Sequence, residues 1–145
     1  MIALIQRVSQ ASVVIEGKTV GQISTGLLAL IGIEKHDDEN LADRLAHKML
    51  NYRVFADDAD KMNLNVMQVH GELLLVPQFT LAANTQKGLR PSFNGAEPAR
   101  ATRLFDSLCS RIESGYQPPE TGVFGADMQV SSCNDGPVTF WLQVN

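Results

Sequence analysis

The stretch Gly26-Leu27-Leu28-Ala29-Leu30-Ile31-Gly32-Ile33 carries no polar side chain at any position. A strand with one wet face alternates apolar and polar residues, so an unbroken apolar run of this length reads as a strand buried on both faces. It is far short of the ~20 residues that a bilayer-spanning helix needs. The rest of the chain must therefore cover both sides of this strand.

Two segments have the right period for that cover. Asp37 or Asp38 can cap a helix in which Leu41, Ala42, Leu45, Ala46, Met49 and Leu50 form one apolar face. Pro98 suits a first helical position, and Ala101, Leu104, Phe105, Leu108 and Ile112 follow at helical spacing until Gly115. Elsewhere the pattern predicts strands: Ile2 to Val8, Ala11 to Glu16, Thr19 to Ile23, Arg53 to Phe55, Val66 to Val69, Glu72 to Leu81, Val123 to Ser132 and Val138 to Val144. The segments "ADDADKMNLN", "NTQKGLRPSFNGAEP" and "GYQPPETG" read as loops or connectors, and "CNDGP" as the turn joining the last strand pair. The fold class predicted is α+β: a mostly antiparallel, curved or barrel-like sheet covered by two amphipathic helices, in one domain spanning 1–145.

Composition narrows the function. A net charge of −4 and a pI near 5.3 argue against a strongly electrostatic DNA or RNA binder, because phosphate neutralisation needs clustered Lys and Arg. Cys109 and Cys133 have neither metal-ligand spacing nor the density of a disulfide scaffold. With no signal-peptide pattern and no membrane-length apolar run, a cytoplasmic protein without membrane contact is expected. His36, His47 and His70 are scattered and form no metal motif, so no metal is expected. Phosphate-binding glycine motifs and G-x-S-x-G are absent too.

What remains are two strands interrupted by proline. One is "VPQFTLAANT", residues 76–85; the other is "NDGPVTFWLQ", residues 134–143. A broken ladder leaves backbone N–H and C=O groups unpaired, and such groups can bind an oxyanion or an ammonium. The alternative is purely structural: a β-bulge in the first stretch and a hairpin turn in the second.

At these two stretches the sequence resembles the D-aminoacyl-tRNA deacylases. The likeness extends to "IQRVSQASV", "KMNLNV", "RPSF" and "ADMQVSSCNDGPVTFWLQV", and so to essentially the whole chain. It implies a homodimeric enzyme without a cofactor, whose active sites lie at the subunit interface. The implied reaction is hydrolysis of the ester between a D-amino acid, or glycine, and the terminal adenosine of tRNA. In this family the Gly-Pro bond is cis, and the loop of one subunit enters the partner's active site. There its two carbonyl oxygens meet the substrate ammonium, and an L side chain is rejected by collision.

Residue by residue, the resemblance places catalysis at Gln78, Phe79 and Thr80, with the N–H groups of Phe79 and Thr80 polarising the ester carbonyl. Substrate recognition falls to Gly136, Pro137, Val138 and Thr139. Arg7 either braces that loop or is an ordinary strand arginine. The family pattern is Ser-Gln-Phe-Thr, and this chain has Pro77 in place of the serine. Thr80 is an alternative nucleophile, but no base stands near it in sequence. Attack assisted by the vicinal ribose hydroxyl is the preferred route. Lys61, Lys87, Arg90 and Arg100 are either tRNA phosphate contacts or solvated charge. Two readings compete: a non-catalytic nucleic-acid-binding module on the same fold, and a threonine-dependent hydrolase of small esters.

Overall fold

The computed structural model describes residues 1–93 and 95–145. In order the elements are β1 (Ile2–Ile15), β2 (Lys18–Ile23), β3 (Gly26–Gly32), α1 (Glu39–Asn51), β4 (Phe55–Ala56), β5 (Met62–Leu64) and β6 (Glu72–Pro77). They continue with a 3-10 helix (Phe79–Ala82), β7 (Ala83–Asn84), β8 (Ser92–Phe93), α2 (Pro98–Gly115), β9 (Glu120–Thr121) and β10 (Gln129–Gln143).

The apolar run is β3, at the middle of a six-stranded sheet ordered β10-β1-β3-β6-β9, with β2 also paired to β1. The three pairings of β1 are antiparallel, and β3–β6 and β6–β9 are parallel. Gly26 lets the central pair begin: a Cβ there would sit 1.9 Å from the Glu72 carbonyl oxygen.

Alternation then sends residues to two cores. Leu27, Ala29, Ile31, Leu73 and Leu75 pack with α1 and α2, and Leu28, Leu74 and Val76 point into the curl of the sheet with Val8 and Val13. The strand is buried on both faces, as its composition required. Asp38 Oδ1 accepts the Leu41 N–H at 2.9 Å to cap α1, and Pro98 opens α2. The predicted apolar faces are buried in both helices except at Leu41, which is half-buried. No helix is long and apolar enough to cross a membrane, among the described residues.

Several predicted boundaries are corrected. The two N-terminal strands are one, β1, kept continuous by register shifts between Gln6 and Gln10. The segment 66–69 is a turn, not a strand, because Asn65 and Gln68 each accept the other's backbone N–H through their side chains and His70 takes φ 53°. The strand in this region is instead Met62–Leu64, paired with Phe55–Ala56, in a stretch polar enough to read as loop. The segment expected to be a strand to Leu81 stops at Pro77. β7, β8 and β9 lie in expected connectors, and the strand expected to begin at Val123 begins at Gln129. Most consequentially, "CNDGP" is not a hairpin turn. Both flanking segments pair with β1, so β10 runs straight through Gly136-Pro137 as an irregularity within one strand.

Candidate active site

The first half of the site forms where β6 ends. The Gln78 N–H donates to the Ile31 carbonyl at 2.7 Å, so the amide of the preceding residue faces the opposite side, toward β9. Pairing with β9 stops at Thr121, beside Leu75, and Pro77 thus occupies a place where no further ladder bond forms. A proline here supplies neither hydroxyl nor N–H, so the family serine's polar groups have no counterpart at position 77.

The chain then turns into the 3-10 helix. Phe79 and Thr80 are its first residues, whose N–H groups have no acceptor inside the helix. Among the described residues, no backbone carbonyl outside it takes them either. Gln78 Nε2 donates to Thr80 Oγ1, which ties the two side chains together. That is the one side-chain partner of the threonine hydroxyl; no histidine, lysine or carboxylate bonds it among the described residues. Phe79 is 59% exposed and packs against Phe93, ring centroids 5.3 Å apart and inclined by 53°. Both rings line an apolar cavity of about 550 Å³ shared with Ile31, Pro98, Ala101 and Phe124.

The second half is built on β10. Arg7 Nε donates to the Asp135 carbonyl at 3.0 Å, and Nη1 to the Val54 carbonyl at 2.7 Å. The Gly136–Pro137 bond is cis, and Gly136 has φ 140°, a region that L side chains rarely adopt. A Cβ at Gly136 would meet Val138 Cγ2 at 2.7 Å and Arg7 Nη2 at 3.1 Å. Asn134 spans the loop: its Oδ1 accepts the Val138 N–H at 2.8 Å, and its Nδ2 donates to Thr139 Oγ1 at 2.9 Å. Gln6 Nε2 reaches the same hydroxyl at 3.2 Å. Val138 is buried beneath the loop, which itself stays exposed.

Arg7 is therefore brought to the Gly-Pro loop, and Gln78, Phe79 and Thr80 are brought together. The two groups do not meet within one chain. The loop stands beside Arg7, in line with Leu27 and Leu73, three strands from β6 and five residues below Gln78. At ~4.8 Å per strand and ~3.3 Å per residue, they lie about 20 Å apart along the sheet. Arg100 is occupied, its guanidinium donating to the carbonyls of Lys35 and Asp37. Lys61 sits in the β4–β5 turn, and Lys87 and Arg90 in the exposed β7–β8 connection. Sequence reasoning missed Asn134, Gln6 and Phe93. Asn134 had a usable signal, since Asn two residues before a Gly-Pro-Val segment suits side-chain bonding to the turn backbone; the other two had none.

This architecture has relatives. A solved structure described as c-Myc DNA Unwinding Element Binding Protein superposes with a TM-score of 0.96 at 36% identity, covering 100% of this chain and 99% of that one. One described as a probable eukaryotic D-amino acid tRNA deacylase shares the fold, with a TM-score of 0.83 at 14% identity over 99% of this chain and 98% of that chain. The model of the family described as D-Tyr-tRNA(Tyr) deacylase matches residues 4–143, and the chain belongs to that enzyme family. Curated relatives named D-aminoacyl-tRNA deacylase include one from Haemophilus influenzae (strain PittEE), 62% identical, and one from Dichelobacter nodosus (strain VCS1703A), 60% identical. Each match covers 99% of this chain and 100% of the relative.

Proposed function

We propose that this chain hydrolyses the ester of D-aminoacyl-tRNA, and of mischarged glycyl-tRNA, as a cytoplasmic homodimer whose active sites combine residues of both subunits. The observation that carries this reading is the separation just described. Free amide donors beside an apolar cavity stand on one edge of the chain, and a braced loop of exposed carbonyls stands about 20 Å away. A second copy brings one to the other.

In this reading the terminal adenosine places its base in the cavity beside Phe79 and Phe93, and the ester carbonyl at the N–H groups of Phe79 and Thr80. Water adds to the carbonyl carbon as the neighbouring ribose hydroxyl takes one of its protons and passes its own to the ester oxygen that will leave. The two amides hold the negative charge that develops on the carbonyl oxygen. The C–O bond to the ribose then breaks, releasing the free amino acid and a restored hydroxyl. Thr80 acts through position, since among the described residues its hydroxyl meets only the Gln78 amide, which takes no proton. The partner's loop offers the carbonyls of Gly136 and Pro137 to the substrate ammonium. It leaves room for hydrogen or a D side chain, and collides with an L side chain.

Turnover of matched D-Tyr-tRNA and L-Tyr-tRNA tests this. Hydrolysis of the D ester alone is expected; equal rates on both, or none on either, would sink it. A non-catalytic nucleic-acid module is the second reading, favoured by the description of the 36%-identical structure. It requires binding without turnover of either ester. A threonine-dependent esterase would instead lose all activity in Thr80→Ala.

A further inference from the structure

The connection from β7 to β8 is an antiparallel ribbon in which every residue from Asn84 to Phe93 is exposed. Strands of two residues each do not hold themselves together in water. The base is anchored instead, by the Phe79–Phe93 ring pair and by Asn84 Oδ1 accepting the Gln86 N–H at 2.9 Å. The ribbon thus starts at the candidate catalytic residues and leads away from the protein. Its tip is Lys87-Gly88-Leu89-Arg90, with Leu89 fully exposed. Among the described residues, neither Lys87 nor Arg90 has an ion-pair partner. Lys35, exposed and without an ion pair among the described residues, lines the groove that continues from Phe93 and Gly95, where it stands between Glu34 and Asp37. In a chain of net charge −4, Lys87 and Arg90 make the tip of the ribbon locally positive, with no acidic residue between Asn84 and Phe93.

We infer that this ribbon is an arm that grips the phosphate backbone of the single-stranded 3′ end of the substrate RNA. Lys87 and Arg90 each neutralise one phosphate, and Leu89 lies against the nucleotide between them. This rests on the deacylase reading and deepens it. With the last nucleoside in the Phe79–Phe93 cavity, the preceding phosphates emerge at its mouth, where the ribbon is rooted. Leu89 is the only fully exposed large apolar side chain among the described residues, and a nucleotide face gives it something to cover. The contacts read charge and not sequence.

The test uses the full-length protein and the double variant Lys87→Gln/Arg90→Gln. Each is assayed on D-Tyr-tRNA at several salt concentrations, and on D-tyrosyl-adenosine, which has the ester but no preceding phosphates. Each phosphate contact on a single strand adds about 0.7 to the log–log salt slope, so the double variant should be shallower by about 1.4. At 0.15 M salt the same relation predicts a loss of about tenfold in kcat/KM on the tRNA, carried by KM. The adenosine ester should be cleaved at the wild-type rate, and Lys87→Glu/Arg90→Glu should lose more on tRNA than the neutral pair. Parallel salt slopes would overturn the arm. So would equal losses on both substrates, which would make the ribbon part of the site's scaffold. A changed oligomeric state would overturn it too, assigning the ribbon to a subunit contact. Failure of the wild type on both substrates would sink the deacylase reading itself, so the two failures are distinguishable.

Discussion

Arg7 bonds the Asp135 carbonyl beside the Gly-Pro loop, and Arg7→Ala is the perturbation that tests whether the loop depends on it. Its side chain is only 16% exposed, and it joins two backbone carbonyls far apart in sequence, Val54 and Asp135. A hydrogen bond from a charged donor contributes about 1.5–3 kcal/mol. The Val54 carbonyl is partly buried, so truncation should destabilise the fold by about 2 kcal/mol from that bond. The Asp135 carbonyl is exposed and water can replace the lost donor, so its loss costs position more than stability. The ion pair to the Asp135 carboxylate, at 3.7 Å with a 62% exposed partner, adds little. A loop released by 1–2 kcal/mol should lower kcat/KM on D-Tyr-tRNA by roughly 5- to 30-fold. Selectivity should fall as well, because a mobile loop no longer excludes the L side chain, so L-Tyr-tRNA should begin to be hydrolysed. Arg7→Lys, which presents a point charge to one carbonyl instead of a fork to two, should lie between. Chemical denaturation and paired D and L kinetics make the measurement. If stability and D activity fall while the D/L ratio holds, Arg7 merely supports the fold and the bracing role is refuted.

Other perturbations read different parts of the account. Pro77→Ser should change kcat/KM by less than about threefold, since the restored N–H faces a ladder position past the end of β9 pairing; a large change would give position 77 a chemical role. Burial, with Asp106 nearby, pushes the Cys109 thiol up to about 12, whereas Cys133 is exposed. Iodoacetamide at pH 8 should therefore modify Cys133 quickly and Cys109 only on unfolding, as mass spectrometry would reveal. An unfolded thiol ionises near 8.5 and the folded Cys109 does not, so this group removes stability as pH rises above about 8.5. Unchanged urea midpoints between pH 8 and 10 in a comparison with Cys109→Ala would contradict that shift.

Much of the fold was legible because it rests on period. The apolar faces of α1 and α2 and the two-sided burial of β3 follow from residue spacing alone, and Asp38 caps α1 within the range expected. The continuity of β10 was not legible, because Gly-Pro reads locally as a turn. It stays in a strand only because eleven residues of β1 pair with its two flanks. The candidate site was proposed through resemblance and not through local rules. Arg7 and Asp135 are 128 residues apart, and no pattern in either neighbourhood announces the bond. Phe93 was hidden likewise, since its pairing with Phe79 depends on how the ribbon closes.

The central claim is that each active site borrows its Gly-Pro loop from the other subunit, and mixed dimers test it most directly. Gly136→Val drives a side chain into Val138 and Arg7 and should disable the loop. Phe79→Pro removes one amide donor and one ring and should disable the other half. Each variant alone should be inactive on D-Tyr-tRNA. Co-refolded at equal amounts, half the dimers are mixed and each mixed dimer holds one site free of both changes, so about a quarter of wild-type activity should return. No recovery in verified mixed dimers would place both halves of the site in the same subunit and contradict the account.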